Sequence, residues 1–138
     1  MITAHTDGSI SHNPGGRIGI GVYITEIKNG CLKEYAKLHR EFPKHEDNTV
    51  NVAEYLALIE CLKWLLENVH QHEEILIKSD SQLMVMHCNY RWSIKENTGY
   101  YPYAVEALNL LKKFNNIKVK WISRDYNVIA DSLSKIKR

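Results

Sequence analysis

The chain predicts an α/β domain: a five-stranded mixed sheet with helices packed on its faces. Three observations carry this. Apolar residues alternate from Arg17 to Ile27, and turn chemistry bounds that run on both sides. Near Asn51 the apolar spacing changes from strand-like to helical. From there short apolar strands alternate with helical segments, so the order is βββ-α-β-α-α-β-α.

Each element has its own signal. Residues 1–7 read as a first strand, and Asn13-Pro14-Gly15-Gly16 is turn chemistry. Arg17 to Ile27 puts Ile18, Ile20, Val22 and Ile24 on one face. Lys28-Asn29-Gly30 is a hairpin signal, and Cys31 to Phe42 is the returning strand. Pro43 to Asn48 is polar and irregular. From Asn51, the residues Val52, Tyr55, Leu56, Ile59, Leu62, Leu66 and Val69 keep helical spacing and predict one apolar face. Glu74 to Lys78 is a fourth strand and Ser81 to Asn89 a second helix. Tyr90 to Pro102 is aromatic and polar without a period. Tyr103 to Phe114 is a third helix, Ile117 to Ile122 a fifth strand, and Asn127 to Lys137 a last helix. No repeat, low-complexity tract or linker divides the chain, so residues 1–138 are expected to form one domain.

The bulk numbers narrow the class. Apolar residues make up 44% and charged residues 25%, which is a globular balance rather than a disordered one. No stretch of about 18 apolar residues offers a membrane span. The N-terminus starts strand-like and lacks a signal-peptide pattern. The three cysteines, Cys31, Cys61 and Cys88, are scattered and read as reduced, so a cytoplasmic location is expected. Cys61 and Cys88 read as small core residues. His70-x-His72 sits beside Glu73 and Glu74 and reads as a solvated helix end rather than a metal site. Net charge is +2, but unevenly spread: residues 1–69 carry −2 and residues 70–138 carry +4. The excess lies in Lys112, Lys113, Lys118, Lys120, Arg124, Lys135, Lys137 and Arg138. It reads equally as a phosphate-facing surface or as a solvated polar face with a basic tail.

Four carboxylates stand out: Asp7 at a strand end, Glu54 early in the first helix, Asp80 after the fourth strand and Asp131 in the last helix. Each has an ordinary reading. Asp7-Gly8 fits a turn, Asn51 and Glu54 have capping-box spacing, Asp80 fits a helix cap, and Asp131 fits a solvated helix. Together they point to one site, because strands one and four can run side by side and ligand sites in α/β sheets form at strand C-termini. A like-charged pair at about 4 Å costs about 4 kcal/mol at an effective dielectric of 20, so such a cluster calls for hard cations, and Mg²⁺ is the usual partner.

The motifs resemble type 1 ribonuclease H almost from end to end. The opening segment is Thr6-Asp7-Gly8-Ser9 followed by Asn13-Pro14-Gly15-Gly16. The second is Asn51-x-x-Glu54-Tyr55-x-Ala57-Leu58, and the third Ser79-Asp80-Ser81-Gln82. The last is Trp121-Ile122-x-Arg124-x-x-Asn127-x-x-Ala130-Asp131-x-Leu133-Ser134. The resemblance implies a ribonuclease H-like fold and endonucleolytic hydrolysis of the RNA strand of an RNA–DNA hybrid, leaving 5′-phosphate and 3′-hydroxyl ends. It also implies two Mg²⁺ ions, with Mn²⁺ able to substitute, held by Asp7, Glu54, Asp80 and Asp131. By the same resemblance Gly8, Ser9, Asn13, Thr49, Asn51, Gln82, Arg124 and Asn127 fall at substrate-contacting positions; for Asn13 and Asn51 the turn and cap readings stand beside this one. A monomer acting on the hybrid, away from membranes, is expected.

Two departures accompany the match. No histidine follows His87, so the loop histidine of many members is missing. Arg124 lies nearby, either toward the scissile region or in an ion pair with Asp125 or Glu106. The segment Tyr90 to Pro102 is too short for the family's basic protrusion, but it and the residue after it offer Trp92, Tyr100, Tyr101 and Tyr103, of which at least two are expected to pack against the helices. The alternatives are a non-catalytic RNA- or hybrid-binding module, and a related nuclease acting on double-stranded RNA or another nucleic acid.

Overall fold

The computed structural model describes residues 1–70 and 72–137. The strands are β1 (Ile2–Ile10), β2 (Ile18–Lys28), β3 (Cys31–Phe42), β4 (Ile75–Ser79) and β5 (Ile117–Trp121). The helices are α1 (Val50–Asn68), α2 (Gln82–Cys88), α3 (Tyr101–Leu111) and α4 (Val128–Ser134), and a 3-10 turn at Arg124–Tyr126 precedes α4. The sheet order is β3-β2-β1-β4-β5. Hairpins make β1, β2 and β3 antiparallel, while crossovers make β1, β4 and β5 parallel. This is the five-stranded mixed sheet of the ribonuclease H-like fold.

Alternation along the strands fixes what each face does. One face carries Ile2, Ala4, Ile20, Val22, Ile24, Ile75, Ile77 and Val119, all buried. α1 lies on that face and is buried on two sides, because α3 packs on its back. The single apolar face expected for α1 is therefore too narrow a reading: Ala53, Ala57, Leu58, Cys61 and Leu65 are inaccessible, and so are Val52, Tyr55 and Leu62. The Tyr55 hydroxyl shares a 2.6 Å hydrogen bond with His87 Nδ1 and ties α1 to α2, with Tyr100 stacked on both rings. Cys61 and Cys88 are core thiols, as expected, while Cys31 is exposed. Of the aromatics after Tyr90, Tyr100 is buried, Tyr103 is half-buried against the core, and Trp92 is exposed.

α4 covers part of the opposite face. A Cβ at Gly21 would lie 2.3 Å from the Ala130 carbonyl, so only a glycine lets the helix lie this close to β2. Three bonds hold α4 down. Ser9 Oγ donates to the Ser134 carbonyl at 2.6 Å, and His39 Nδ1 donates to the Leu133 carbonyl at 2.5 Å. Asn127 Nδ2 donates to the Thr6 carbonyl at 2.9 Å. No helix among the described residues is long and apolar enough to cross a membrane.

Candidate metal centre and nucleic-acid cleft

The register explains why two acids meet. Thr6 of β1 pairs with Ser79 of β4, so the next residues, Asp7 and Asp80, leave neighbouring parallel strands side by side. β1 does not end at Asp7, however; it continues to Ile10 against β2, with Asp7 opposite Gly21. A turn role for Asp7-Gly8 is thereby removed. Glu54 arrives from α1 because that helix presses on β1 at Gly8: a Cβ there would lie 2.4 Å from the Ala53 backbone. The Gly8 N–H then donates to Asp7 Oδ1 at 3.0 Å and to Glu54 Oε1 at 3.2 Å. Carboxylate oxygens of Asp7, Glu54 and Asp80 all lie within 4.8 Å of one another.

The helix starts correct two sequence readings. Thr49 is the N-cap of α1, its hydroxyl accepting from the Val52 N–H at 3.3 Å, so Asn51 and Glu54 make no capping box. Ser81 caps α2, accepting from the Met84 N–H at 3.4 Å, so Asp80 is free of that duty. In both places a hydroxyl residue does the work that sequence spacing also allowed to an acid or amide.

Asp131 lies in the first turn of α4, on the same cleft. Arg124 stands 3.8 Å and Lys135 3.4 Å from its Oδ1. Arg124 thus pairs with Asp131, neither with Asp125 nor with Glu106. The electrostatic contrast across the cleft is sharp. Burial, a hydrogen bond with Asp131 and the charge of Asp80 push Asp7 up to about 7. Burial and the charges of Asp7 and Asp80 push Glu54 well above the carboxylate range. Burial works against ionisation of Asp131 too, but its hydrogen bond with Asp7 and the cations Lys135 and Arg124 outweigh that and hold it below its ordinary value.

The cleft is about 670 Å³ and is lined by all four acids together with Gly8, Ser9, Asn51, Gln82, Arg124 and Lys135. Of the other predicted contacts, Asn13 is exposed in the β1–β2 turn, outside this cleft, and the Thr49 hydroxyl is used in its cap. Asn127 is 1% exposed and serves as a tie between β1 and α4 rather than as an open contact. Ser9 lines the cleft, but its hydroxyl is engaged by α4. Lys135 and Trp121 line the cleft and were missed as site residues. Helical i, i+4 spacing from Asp131 was the available signal for Lys135.

The acidic trio fits a divalent cation. Every donor is a carboxylate oxygen, and Glu54 Oε2 is buried without a hydrogen-bond partner, which is costly unless something else satisfies it.

Comparison with known proteins agrees with this geometry. The family model described as reverse transcriptase-like matches residues 5–136. The protein EbsB of Enterococcus faecalis is 28% identical over 135 residues, spanning 98% of this chain and 92% of that protein. RNase H1 of Halobacterium salinarum superposes with a TM-score of 0.81 at 25% identity, covering 96% of this chain and 93% of that one. LC11-RNase H1 from compost, solved in complex with an RNA/DNA hybrid, superposes with a TM-score of 0.82 at 27% identity, covering 96% and 93%. The chain belongs to the reverse transcriptase-like family, and within it is an RNase H1-like protein built for metal-dependent nuclease chemistry.

Proposed function

We propose that the protein cuts the RNA strand of RNA–DNA hybrids endonucleolytically, using two Mg²⁺ ions, and leaves 5′-phosphate and 3′-hydroxyl ends. The observation that carries this reading is the cluster of Asp7, Glu54 and Asp80 at adjoining strand and helix ends, with Asp131 lining the same cleft. When bound, the ions supply an activated water and stabilise the charge on the leaving oxygen of an in-line displacement.

The chain's own residues divide the remaining work. Asp7 stands beside Glu54 and Asp80 in the acidic trio and lines the same cleft as Asp131, so it would be the carboxylate to take part in holding both ions. Glu54 and Asp80 would help to hold one ion with it, and Asp131 would help to hold the other. The Gly8 N–H fixes the rotamers of Asp7 and Glu54 before any ligand arrives, which is the preorganisation a charged transition state needs. A water oxygen attacks phosphorus and gives up a proton to solvent, the bond to the 3′ oxygen breaks, and that oxygen takes a proton from solvent, leaving a 5′-phosphate and a 3′-hydroxyl. Asn51 and Gln82 offer amides at the cleft for base edges and sugars. Arg124 and Lys135 offer cations for phosphate. The Gly8–Ser9 backbone lines the cleft beside the acids, and in this reading it faces the 2′-hydroxyl, the group that separates RNA from DNA.

The test uses matched hybrid, RNA–RNA and DNA–DNA duplexes, each end-labelled on either strand, with Mg²⁺ or Mn²⁺. The proposal requires cutting in the hybrid's RNA strand alone and fragments that carry 5′-phosphates. Equal cutting of the RNA duplex would reassign the substrate to duplex RNA generally.

A further inference from the structure

Part of the basic excess of the second half of the chain, Arg124 and Lys135, stands at the acidic cleft. Lys112, Lys118 and Lys120 lie elsewhere, around β5, the free edge strand of the sheet. Three surface grooves run into one another there. The catalytic cleft ends at Trp121, which also lines a second groove of about 640 Å³ between β5 and α2. That groove shares Asn89, Lys118 and Val119 with a third, of about 300 Å³, reaching the C-terminal end of α3. The two grooves beyond the cleft are lined by Arg91, Lys112, Lys118 and Lys120 and by no carboxylate. Trp121 is 48% and Tyr90 71% exposed along this path. Asn89 Nδ2 donates to the Val119 carbonyl at 3.0 Å, which closes the gap between α2 and the strand and makes the floor continuous.

We infer that this β5-edge track binds single-stranded nucleic acid that continues from the duplex held in the cleft. The inference rests on the function proposed above. Cations unopposed by acids are the electrostatic footprint of a phosphate backbone, and exposed aromatics between them give unpaired bases a stacking surface. Continuity with the cleft through Trp121 puts the track where an emerging strand would meet it. Lysines on an edge strand also block sheet-to-sheet pairing. That duty explains Lys118 and Lys120, but not Arg91 across the groove, the exposed Trp121, or the lack of any acid.

The experiment compares cleavage of a blunt RNA–DNA hybrid with the same hybrid carrying a single-stranded extension. It uses the full chain and the double variant Lys118→Gln/Lys120→Gln, and follows KM and its salt dependence. The wild type is expected to have a KM roughly tenfold lower for the extended substrate, with an extra salt slope of about 0.7 per phosphate contacted. The double variant loses most of that advantage while its kcat on the blunt hybrid stays unchanged. Equal KM values in the wild type overturn the inference while leaving the proposed function intact. So does a preference that survives in the double variant. Polyglutamate binding by the wild type that the double variant loses, without any effect of the extension, assigns the track to an acidic protein segment instead. If neither hybrid is cut, the proposed function fails and the track loses its basis with it.

Discussion

Asp7 and Asp131 line the same cleft, and the fold treats them in opposite ways. Asp7 stands in a central strand among other acids, with its carboxyl pushed up to about 7. Asp131 stands on a short, partly exposed helix, held below its ordinary value in part by Lys135 and Arg124. The first position stores unfavourable electrostatics that a cation would relieve. The second already has its counter-charges, supplied by the chain. One half of the cleft therefore lowers stability for the sake of function, and the other half is close to neutral on that score.

The largest effect expected from breaking this contrast is on catalysis. Asp7→Asn should lower hybrid cleavage on the order of 10³-fold, roughly 4 kcal/mol of transition-state stabilisation, because it removes a carboxylate of the acidic trio. Its effect on stability should have the other sign. A folded carboxyl raised to about 7 from an unfolded value near 3.8 binds more protons when folded, so the metal-free protein loses stability as pH rises through that window. Thermal unfolding in chelator at pH 8 should show Asp7→Asn more stable than wild type by roughly 1–3 kcal/mol, with the gap closing toward pH 4. Asp131→Asn should show no such gain.

Next in size is the close seat of α4. Gly21→Ala places a methyl 2.3 Å from the Ala130 carbonyl and should cost roughly 2–3 kcal/mol in urea unfolding while displacing Asp131. The core of β2 and α1 stays apolar and intact, so the variant should still fold. It should keep cation binding at the Asp7 side while losing cleavage.

Cation binding sharpens the comparison further. Mg²⁺ binding needs ionised acids, so its stabilising effect should be larger at pH 8 than at pH 5.5; at a concentration near 100 Kd it amounts to about 2.7 kcal/mol. Abolishing that increment should need loss of Asp7 or Glu54, not of Lys135. The smallest expected change is for Lys135→Met. It exposes Asp131 to one cation fewer and should tighten divalent-ion binding a few-fold by calorimetry, since an exposed ion pair is worth only about 0.5 kcal/mol.

Much of this was legible in the sequence because period and turn chemistry are local. The hairpin at Lys28-Asn29-Gly30 and the strand from Cys31 to Phe42 follow from residues within a few positions of one another. The four acids were visible as motifs, and pairing of strands one and four was enough to bring Asp7 beside Asp80. What escaped was set by tertiary packing. β1 runs past Asp7 to Ile10 because β2 supplies partners there. α1 is buried on its back because α3 covers it. α4 ends at Ser134, short of the expected Lys137, and its anchors Ser9, His39 and Asn127 lie far away in sequence. Two caps went to Thr49 and Ser81 because a shift of one or two residues in a helix start is invisible to spacing alone.

The central claim is that this acidic cleft is a divalent-metal nuclease centre, and cleavage of an end-labelled RNA–DNA hybrid tests it most directly. Wild type and Asp7→Asn would be compared with Mg²⁺ and with chelator, after circular dichroism shows both folded. The account predicts fragments from the wild type with Mg²⁺ only, and cleavage lower on the order of 10³-fold from Asp7→Asn. Cleavage that persists in chelator, or in folded Asp7→Asn at the wild-type rate, would contradict it.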